Sequence, residues 1–328
     1  MPSENESCAP LLSTDLQRIS LRKHGFSEEV ISTMLQCRRE PSNKLYSCYL
    51  DKWNNFCDIN GLDPCSAPVS SGLEFLQSLY ADKDVHRGVS AISTARSAIS
   101  SVLSLPDSTK FGDNRFVKMF IKGINSVRPS EPRYIRTWDP EVVLDLLRSN
   151  EFNPVQDLCL LKLSKKLVVL ILLSTYQRGQ IIKALNLDRF VQLSDDEIVF
   201  KILPKDLKQG NVRGYKPNPI TFKSYAEKEI CVLTHVLVYI EKTSQLRGDV
   251  RELMLTSRKP FRMATRDTIS RWIKDIMAKA GIDITVFAPG SVRGASTSNA
   301  YKNGVPLDEI CLKAGWTRES TFKKWYQR

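Results

Sequence analysis

The chain has 328 residues, of which 42% are hydrophobic and 26% charged, and its formal net charge is +12. This length allows two domains with separate cores, and the composition is that of a globular protein. The longest apolar run, residues 167–173, is far shorter than the ~20 residues of a membrane-spanning helix, which argues against a membrane protein. The eight cysteines include no Cys-x-x-Cys pair, which argues against a zinc module and a disulfide scaffold.

The first part of the chain is helical in pattern. Residues 1–39 are predicted to be an N-terminal arm, either disordered or forming one helix. Ser42 can cap a helix whose apolar face includes Trp53 and Phe56. Helical periodicity recurs in three later segments, residues 69–80, 89–103 and 116–124. We therefore predict a bundle of four or five helices over residues 40–127.

A proline-rich segment follows this helical part. Residues 127–140, VRPSEPRYIRTWDP, contain three prolines among polar residues. Proline disfavours helix at the residue before it, so the segment predicts an extended linker, which we assign to residues 128–138.

The C-terminal part combines helices with a few strands. Asp139-Pro140-Glu141 has the composition of a helix start, and helices are predicted near 158–174 and 178–187. Strand-like pieces follow at 190–193, 197–203 and 219–222, and the Lys-, Gly- and Pro-rich residues 204–218 predict a long hairpin loop. Helices are predicted to resume at 230–243, 267–280, 291–302, 306–314 and 320–327. The predicted fold class is mainly α with a small antiparallel β-sheet (α+β), with the mixed domain over residues 139–328.

The net positive charge comes entirely from the C-terminal part. Lys and Arg number 15 through Pro132, against 15 Asp and Glu; from Arg133 onward the numbers are 33 and 21. A basic face attracts a polyanion, for which nucleic acid is the usual candidate, and a solvated basic surface is the alternative.

Four segments of the C-terminal part resemble the catalytic domain of the tyrosine recombinase (phage-integrase) family, most closely the Crypton and DIRS-like recombinases of eukaryotic mobile elements. They are STYQRGQ at 174–180, the hairpin with KDLK at 205–208, GSVRGASTS at 290–298 and AGWTRESTFKKWY at 314–326. The stretch from about Lys44 to Tyr134 is similar to the family's core-binding domain. The resemblance implies a core-binding DNA-binding domain at 40–127 and a catalytic domain at 139–328.

The resemblance implies a reaction in which a tyrosine attacks a DNA phosphodiester and forms a 3′-phosphotyrosine, with no metal or other cofactor. Tyr326 matches the nucleophile. Arg178 and Arg293 match the two phosphate-binding arginines, whose planar guanidinium grips two phosphate oxygens. Trp316 matches a position whose ring N–H donates to the phosphate.

In the family, a lysine on the hairpin acts as general acid for the leaving 5′-oxygen. Lys208 fits this role best and Lys205 is the second choice. Lys205 and Lys216 are also candidates for phosphate contact. Each residue has a structural alternative: a solvated lysine or arginine, a tryptophan in a core, or a tyrosine on the surface.

The sequence departs from the family pattern at three places. Gly290 stands where the family has the histidine of its His-x-x-Arg motif, and none of the three histidines lies in a motif. Gln180 and Ile181 stand where an acidic residue is usual. The chain ends at Arg328, whereas relatives usually continue into a tail helix that docks on a neighbouring protomer.

Two functional hypotheses therefore stay open: a recombinase that cuts and rejoins DNA, and a catalytically impaired or dead DNA-binding protein derived from one. A helical scaffold with an incidental basic face would explain the charge but not the ordered motifs. The resemblance also implies double-stranded DNA as partner, self-association on DNA as a dimer to tetramer, recombination or integration of a mobile element, and location in the nucleus.

Overall fold

The computed structural model describes residues 13–38, 40–82, 84–85, 87–106, 109–207 and 216–328. By its internal contacts the chain divides into two units, Met1–Glu131 and Pro132–Arg328. The described residues form fourteen α-helices and one three-stranded antiparallel sheet, so the predicted fold class is confirmed. None of these helices combines the length and the apolar character needed to cross a bilayer.

The first unit is helical throughout. Its helices are α1 (Ser13–Lys23), α2 (Glu28–Leu35), α3 (Glu40–Ile59), α4 (Val69–Ala81), α5 (Val89–Ile99) and α6 (Arg115–Val127). Trp53 of α3 is fully buried, lies edge-on to Phe75 and donates its ring N–H to the Pro64 carbonyl at 3.0 Å. Gly72 of α4 faces Phe111, since a Cβ at position 72 would lie 2.4 Å from Phe111 Cε2. A side chain at position 72 would therefore displace the Phe111 ring from this core.

The N-terminal segment contains two helices, where the sequence analysis predicted an arm with at most one. α1 buries Leu16 in the core of the first unit, and Ser27 caps α2 by accepting the Val30 amide N–H. α1 has only three apolar residues, which is too short a pattern to stand out in the sequence. Residues 1–12 and 39 lie outside the described residues.

The second unit is built around one buried helix. Its helices are α7 (Glu141–Arg148), α8 (Leu160–Thr175), α9 (Gln180–Ala184), α10 (Val232–Thr243), α11 (Arg266–Lys279), α12 (Ser291–Lys302), α13 (Leu307–Ala314) and α14 (Glu319–Trp325). α8 packs against α10, α11 and α12. Because neighbours surround it, α8 is apolar on nearly all sides, which explains the long apolar run in the sequence.

The sheet consists of β1 (Phe190–Ser194), β2 (Glu197–Phe200) and β3 (Ile220–Lys223), in that order. β2 ends three residues before its predicted end. Residues 204–206 form a short 3-10 turn instead, and Asp206 pairs with Arg189 at 3.0 Å. Residues 208–215 of the predicted hairpin loop lie outside the described residues.

The second half of the predicted linker packs on the second unit. Trp138 is buried and donates its ring N–H to Ser291 Oγ at 2.9 Å. The Tyr134 hydroxyl accepts the Ala288 amide N–H at 3.0 Å, and its carbonyl accepts Arg328 Nε at 3.0 Å. Residues 132–138 thus belong to the second unit, because their aromatic side chains find apolar surface there.

Candidate active site

The C-terminal end of α13 holds together segments that are distant in sequence. The Lys313 carbonyl accepts the side-chain amide of Gln177, in the turn between α8 and α9. The Ala314 carbonyl accepts Arg293 Nη2, from α12, at 2.8 Å. The last carbonyls of a helix have no partners within it, so they are ready acceptors. Gly315 then ends α13 in the left-handed conformation, with φ of 69°, and the next residue, Trp316, lies beside Arg293.

Arg293 is a buried arginine with donors left over. Its side chain is 3% exposed, and Nε and Nη1 have no hydrogen-bond partner. The guanidinium carbon lies 4.5 Å from the centre of the Trp316 ring and 5.6 Å from that of Tyr326. Buried charged groups normally have all their donors paired, so this arrangement is suited to an anionic ligand.

Trp316 adds a third unpaired donor. Its ring is 8% exposed, and the buried Nε1 has no hydrogen-bond partner. The ring packs 4.5 Å from Tyr326 and 5.9 Å from Phe322, centre to centre. Trp316 is therefore part of a small apolar core and also presents an N–H beside Arg293. The two alternatives for Trp316, packing in a core and donating its ring N–H to a phosphate, are therefore compatible.

Arg178 acts electrostatically on Arg293. Burial lowers the pKa of Arg293 to about 10, the positive charge of Arg178 acts in the same direction, and the Tyr326 phenol acts against it. Arg178 is exposed and lies two residues before α9, where its carbonyl accepts the Ile181 amide N–H at 2.9 Å. Two cationic side chains near each other repel unless an anion lies between them.

Tyr326 is held between α14 and α12. It follows α14, whose Phe322 is fully buried, and its amide N–H donates to the Phe322 carbonyl at 2.8 Å. Ser298 Oγ of α12 donates to the Tyr326 carbonyl. The ring lies close to Gly294, where an added Cβ would be 3.8 Å from Tyr326 Cδ1. The phenol ring is thus fixed in the same cluster as Arg293 and Trp316.

A cavity of 710 Å³ opens between Gly290 and Tyr326. Gly290 has φ of −67°, and a Cβ added there would meet nothing within 4 Å. Among the described residues, the charged side chains that line the cavity are one acid and six cations: Asp267, Arg133, Arg136, Arg266, Arg271, Lys274 and Arg328. None of these cations was predicted from the sequence as part of the site. Those of α11 recur at helical spacing, but a solvated helix face has the same pattern.

Comparison with known proteins identifies the fold. No family model and no curated protein matches the chain. The XerH site-specific recombinase bound to difH substrate, in its pre-cleavage complex, has 13% identity and a TM-score of 0.59 over 97% of this chain and 82% of that one. The Tn1549 transposon integrase in complex with transposon right end DNA has 12% identity and a TM-score of 0.56 over 96% of this chain and 95% of that one. The chain has the tyrosine-recombinase fold.

Two of the predicted lysines, Lys205 and Lys216, lie on described parts of this recombinase fold. Lys205 is exposed in the turn 204–206, and Lys216 is exposed shortly before β3. In the described part of the chain, neither contacts Arg178, Arg293, Trp316 or Tyr326 through a hydrogen bond or ring contact. Lys208, the preferred general acid, lies outside the described residues.

No described histidine replaces the one that the recombinase motif lacks at Gly290. His235 is buried on α10, where Nδ1 bonds to the Cys231 carbonyl at 2.7 Å. His24 lies in the first unit, with Nε2 3.2 Å from Ser104 Oγ, and His86 is outside the described residues. The described residues also contain no group of three or more His, Cys, Asp or Glu side chains placed to hold a metal ion.

Proposed function

We propose that this protein cleaves and rejoins double-stranded DNA through a 3′-phosphotyrosine at Tyr326. One observation carries the proposal: three unpaired buried donors, Arg293 Nε, Arg293 Nη1 and Trp316 Nε1, lie beside the Tyr326 ring. Such a set of donors fits the oxygens of a phosphodiester. The similar XerH recombinase is described as bound to its difH substrate and the similar Tn1549 integrase as in complex with transposon right end DNA, which supports DNA as the source of that phosphate.

The proposed chemistry follows from this arrangement. The Tyr326 oxygen attacks phosphorus, an O–P bond forms, the bond to the 5′-oxygen breaks, and the phenolic proton is released to solvent. Arg293 and Arg178 stabilise the negative charge that develops on the phosphoryl oxygens. A hairpin lysine, Lys208 or else Lys205, protonates the departing 5′-oxygen. Rejoining is the reverse reaction with a 5′-hydroxyl as the nucleophile.

A second candidate function is DNA binding without efficient cleavage. Gly290 favours it, because glycine cannot carry a proton or donate from a side chain. Arg178, Arg293 and the cations of the cavity would then serve only to bind phosphates, together with Lys205 and Lys216.

The nucleophile can be tested with nicked duplexes of randomised sequence, which trap a covalent intermediate when the cut strand diffuses away. We expect a protein–DNA adduct that survives denaturation, with the DNA mapped to the peptide containing Tyr326. Tyr326→Phe should abolish it. Tyr301→Phe is the matched control, because its ring contact with Phe322 is kept. An adduct that persists in Tyr326→Phe would refute the assignment.

Gly290→His separates the two candidate functions. The backbone at Gly290 suits any residue, and the new side chain would enter the cavity that Tyr326 also lines. General acid–base groups typically contribute ~10²–10⁴-fold, so we expect adduct formation to accelerate by roughly 100-fold. Gly290→Phe controls for filling the cavity with a ring that carries no proton. Equal rates in the two variants would favour the DNA-binding candidate.

The biological setting is part of the same proposal. We place the protein in site-specific recombination or integration of a mobile element of the Crypton and DIRS-like kind, acting in the nucleus as a dimer to tetramer on DNA. The first unit would be the core-binding domain and the second the catalytic domain. The transposon integrase among the similar structures supports the link to mobile DNA. A complex of constant stoichiometry, one protein per DNA site at all concentrations, would contradict the assembly.

A further inference from the structure

The first unit contains a polar cavity that the proposed chemistry does not use. Its volume is 420 Å³, and its lining includes Arg38, Arg96, Ser100, Lys110 and Gly112. We call it the Arg96 cavity. It lies at the C-terminal end of α5, beside the short 3-10 turn 111–113.

The Arg96 cavity is positively charged within a unit that is neutral overall. Its described lining has three cationic side chains, Arg38, Arg96 and Lys110, and one acid, Asp113. Asp113 lies 3.7 Å from Lys118, a cation outside the lining, so its charge is partly offset. Because the unit has 15 basic and 15 acidic residues through Pro132, this local excess is not a consequence of composition.

Some hydrogen-bond donors in the cavity have no acceptor among the described residues. Arg96 Nε is buried and has no hydrogen-bond partner. Ser100 Oγ accepts the Gly112 amide N–H at 3.0 Å, which leaves its own O–H able to donate. The Arg38 guanidinium is held over the Tyr46 ring, 5.0 Å from its centre.

Gly112 keeps the cavity open. A Cβ at this position would lie 3.2 Å from Ser100 Oγ and 3.6 Å from Arg96 Nε. A methyl group would therefore crowd the serine hydroxyl and fill the space beside the unpaired arginine donor.

We infer that the Arg96 cavity binds a phosphate group, and that this group is a backbone phosphate of duplex DNA. A guanidinium fork, an ammonium and a hydroxyl that converge on one space match the several acceptor oxygens of a phosphate. Only the DNA source of the phosphate rests on the proposed function. The site includes none of Arg178, Arg293, Trp316 or Tyr326.

The inference is tested with the full chain carrying Tyr326→Phe, so that cleavage does not enter the measurement. Affinity for a labelled duplex is measured over a range of salt concentrations. Each neutralised phosphate contributes about 0.9 to the slope of log affinity against log salt, so the double variant Arg96→Gln/Lys110→Gln, which loses the one phosphate of this cavity, should lower the slope by about 0.9. Arg96→Lys should keep the slope, because the charge is retained. Lys52→Gln, an exposed cation outside the cavity, is the matched control.

A second arm uses inorganic phosphate as the probe and follows thermal unfolding. Phosphate that stabilises the parent but not Arg96→Gln or Gly112→Ala supports the phosphate site. Suppose that phosphate stabilises only the parent, while the slope of log DNA affinity against log salt is the same in all variants. The cavity then binds free phosphate, and the inference that it binds duplex DNA is overturned. Equal slopes together with equal stabilisation of all variants overturn the site itself. A failure of the tyrosine adduct experiment would leave these results unaffected.

Discussion

Arg293 is held where its charge is disfavoured. It is buried, two of its donors are unpaired, and both burial and the charge of Arg178 lower its pKa. A buried charge without an acidic partner destabilises a fold unless hydrogen bonds and ring contacts compensate. Here one bond to the Ala314 carbonyl and the rings of Trp316 and Tyr326 compensate in part. A residue of this kind is retained by selection for ligand binding rather than by selection for stability.

Arg247 provides the internal comparison. It is also buried, but both of its terminal nitrogens donate to neighbours, including the Glu252 carbonyl at 3.0 Å and Thr243 Oγ1. Arg293→Met should leave the free energy of unfolding unchanged or raise it by about 1 kcal/mol, while the DNA adduct disappears. Arg247→Met should lower it by roughly 2–4 kcal/mol, because several acceptors lose their donor. Urea unfolding of both variants decides this, and equal losses would contradict the prediction.

At the scale of elements, α8 and α10 bury a lysine and a histidine between them. Lys166 of α8 donates to the Phe152 carbonyl at 2.9 Å and to Asn153 Oδ1 at 2.8 Å, and burial lowers its pKa to about 8. His235 of α10 bonds to the Cys231 carbonyl through Nδ1, while its Nε2 is unpaired. Burial and then the charge of Lys166 lower the pKa of His235 to about 4. The imidazole is therefore neutral in the folded protein near neutral pH.

This histidine predicts an acid-sensitive fold. Its pKa falls from 6.5 in the unfolded chain to about 4 in the folded one, so the unfolded state binds more protons between these values. The stability contribution is complete above pH 6.5 and is lost as the pH falls through 4. It amounts to roughly 3 kcal/mol at most. Unfolding free energies of His235→Leu should fall less between pH 7 and pH 4 than those of the parent, and parallel curves would refute the assignment.

The helices with strong periodicity could be predicted from the sequence, and weak or irregular elements could not. α11 spans Arg266–Lys279, one residue from the predicted 267–280, whereas α1 was missed because three apolar residues leave little pattern. Arg293 was found through its motif, but its burial and unpaired donors follow from packing between α12 and α13. The cavity cations were missed because helical spacing does not distinguish a cavity wall from a solvated face.

At the scale of the whole molecule, the described cations that line the cavity beside Tyr326 differ from their neighbours in having no ion pair. On and around α11, the cations that face away from the cavity have partners: Lys279 pairs with Glu151, and Asp275 pairs with Lys165 at 2.7 Å. Among the ion pairs of the described residues, none involves Arg271 or Lys274, which line the cavity beside Tyr326. Unpaired cations along one cavity wall are what a phosphate backbone would neutralise, with release of its counterions.

This distribution predicts which cations set the salt dependence of DNA binding. Arg271→Gln and Lys274→Gln should each lower the slope of log affinity against log salt by about 0.9, and the double variant should lower it by about 1.8. Lys279→Gln should leave the slope unchanged, because its charge already pairs with Glu151. All three positions lie on α11 and change the net charge by the same amount, so a general loss of positive charge would reduce all slopes equally. That equal reduction would show that the duplex does not enter the cavity, whereas a reduction confined to Arg271 and Lys274 would place a strand beside Tyr326.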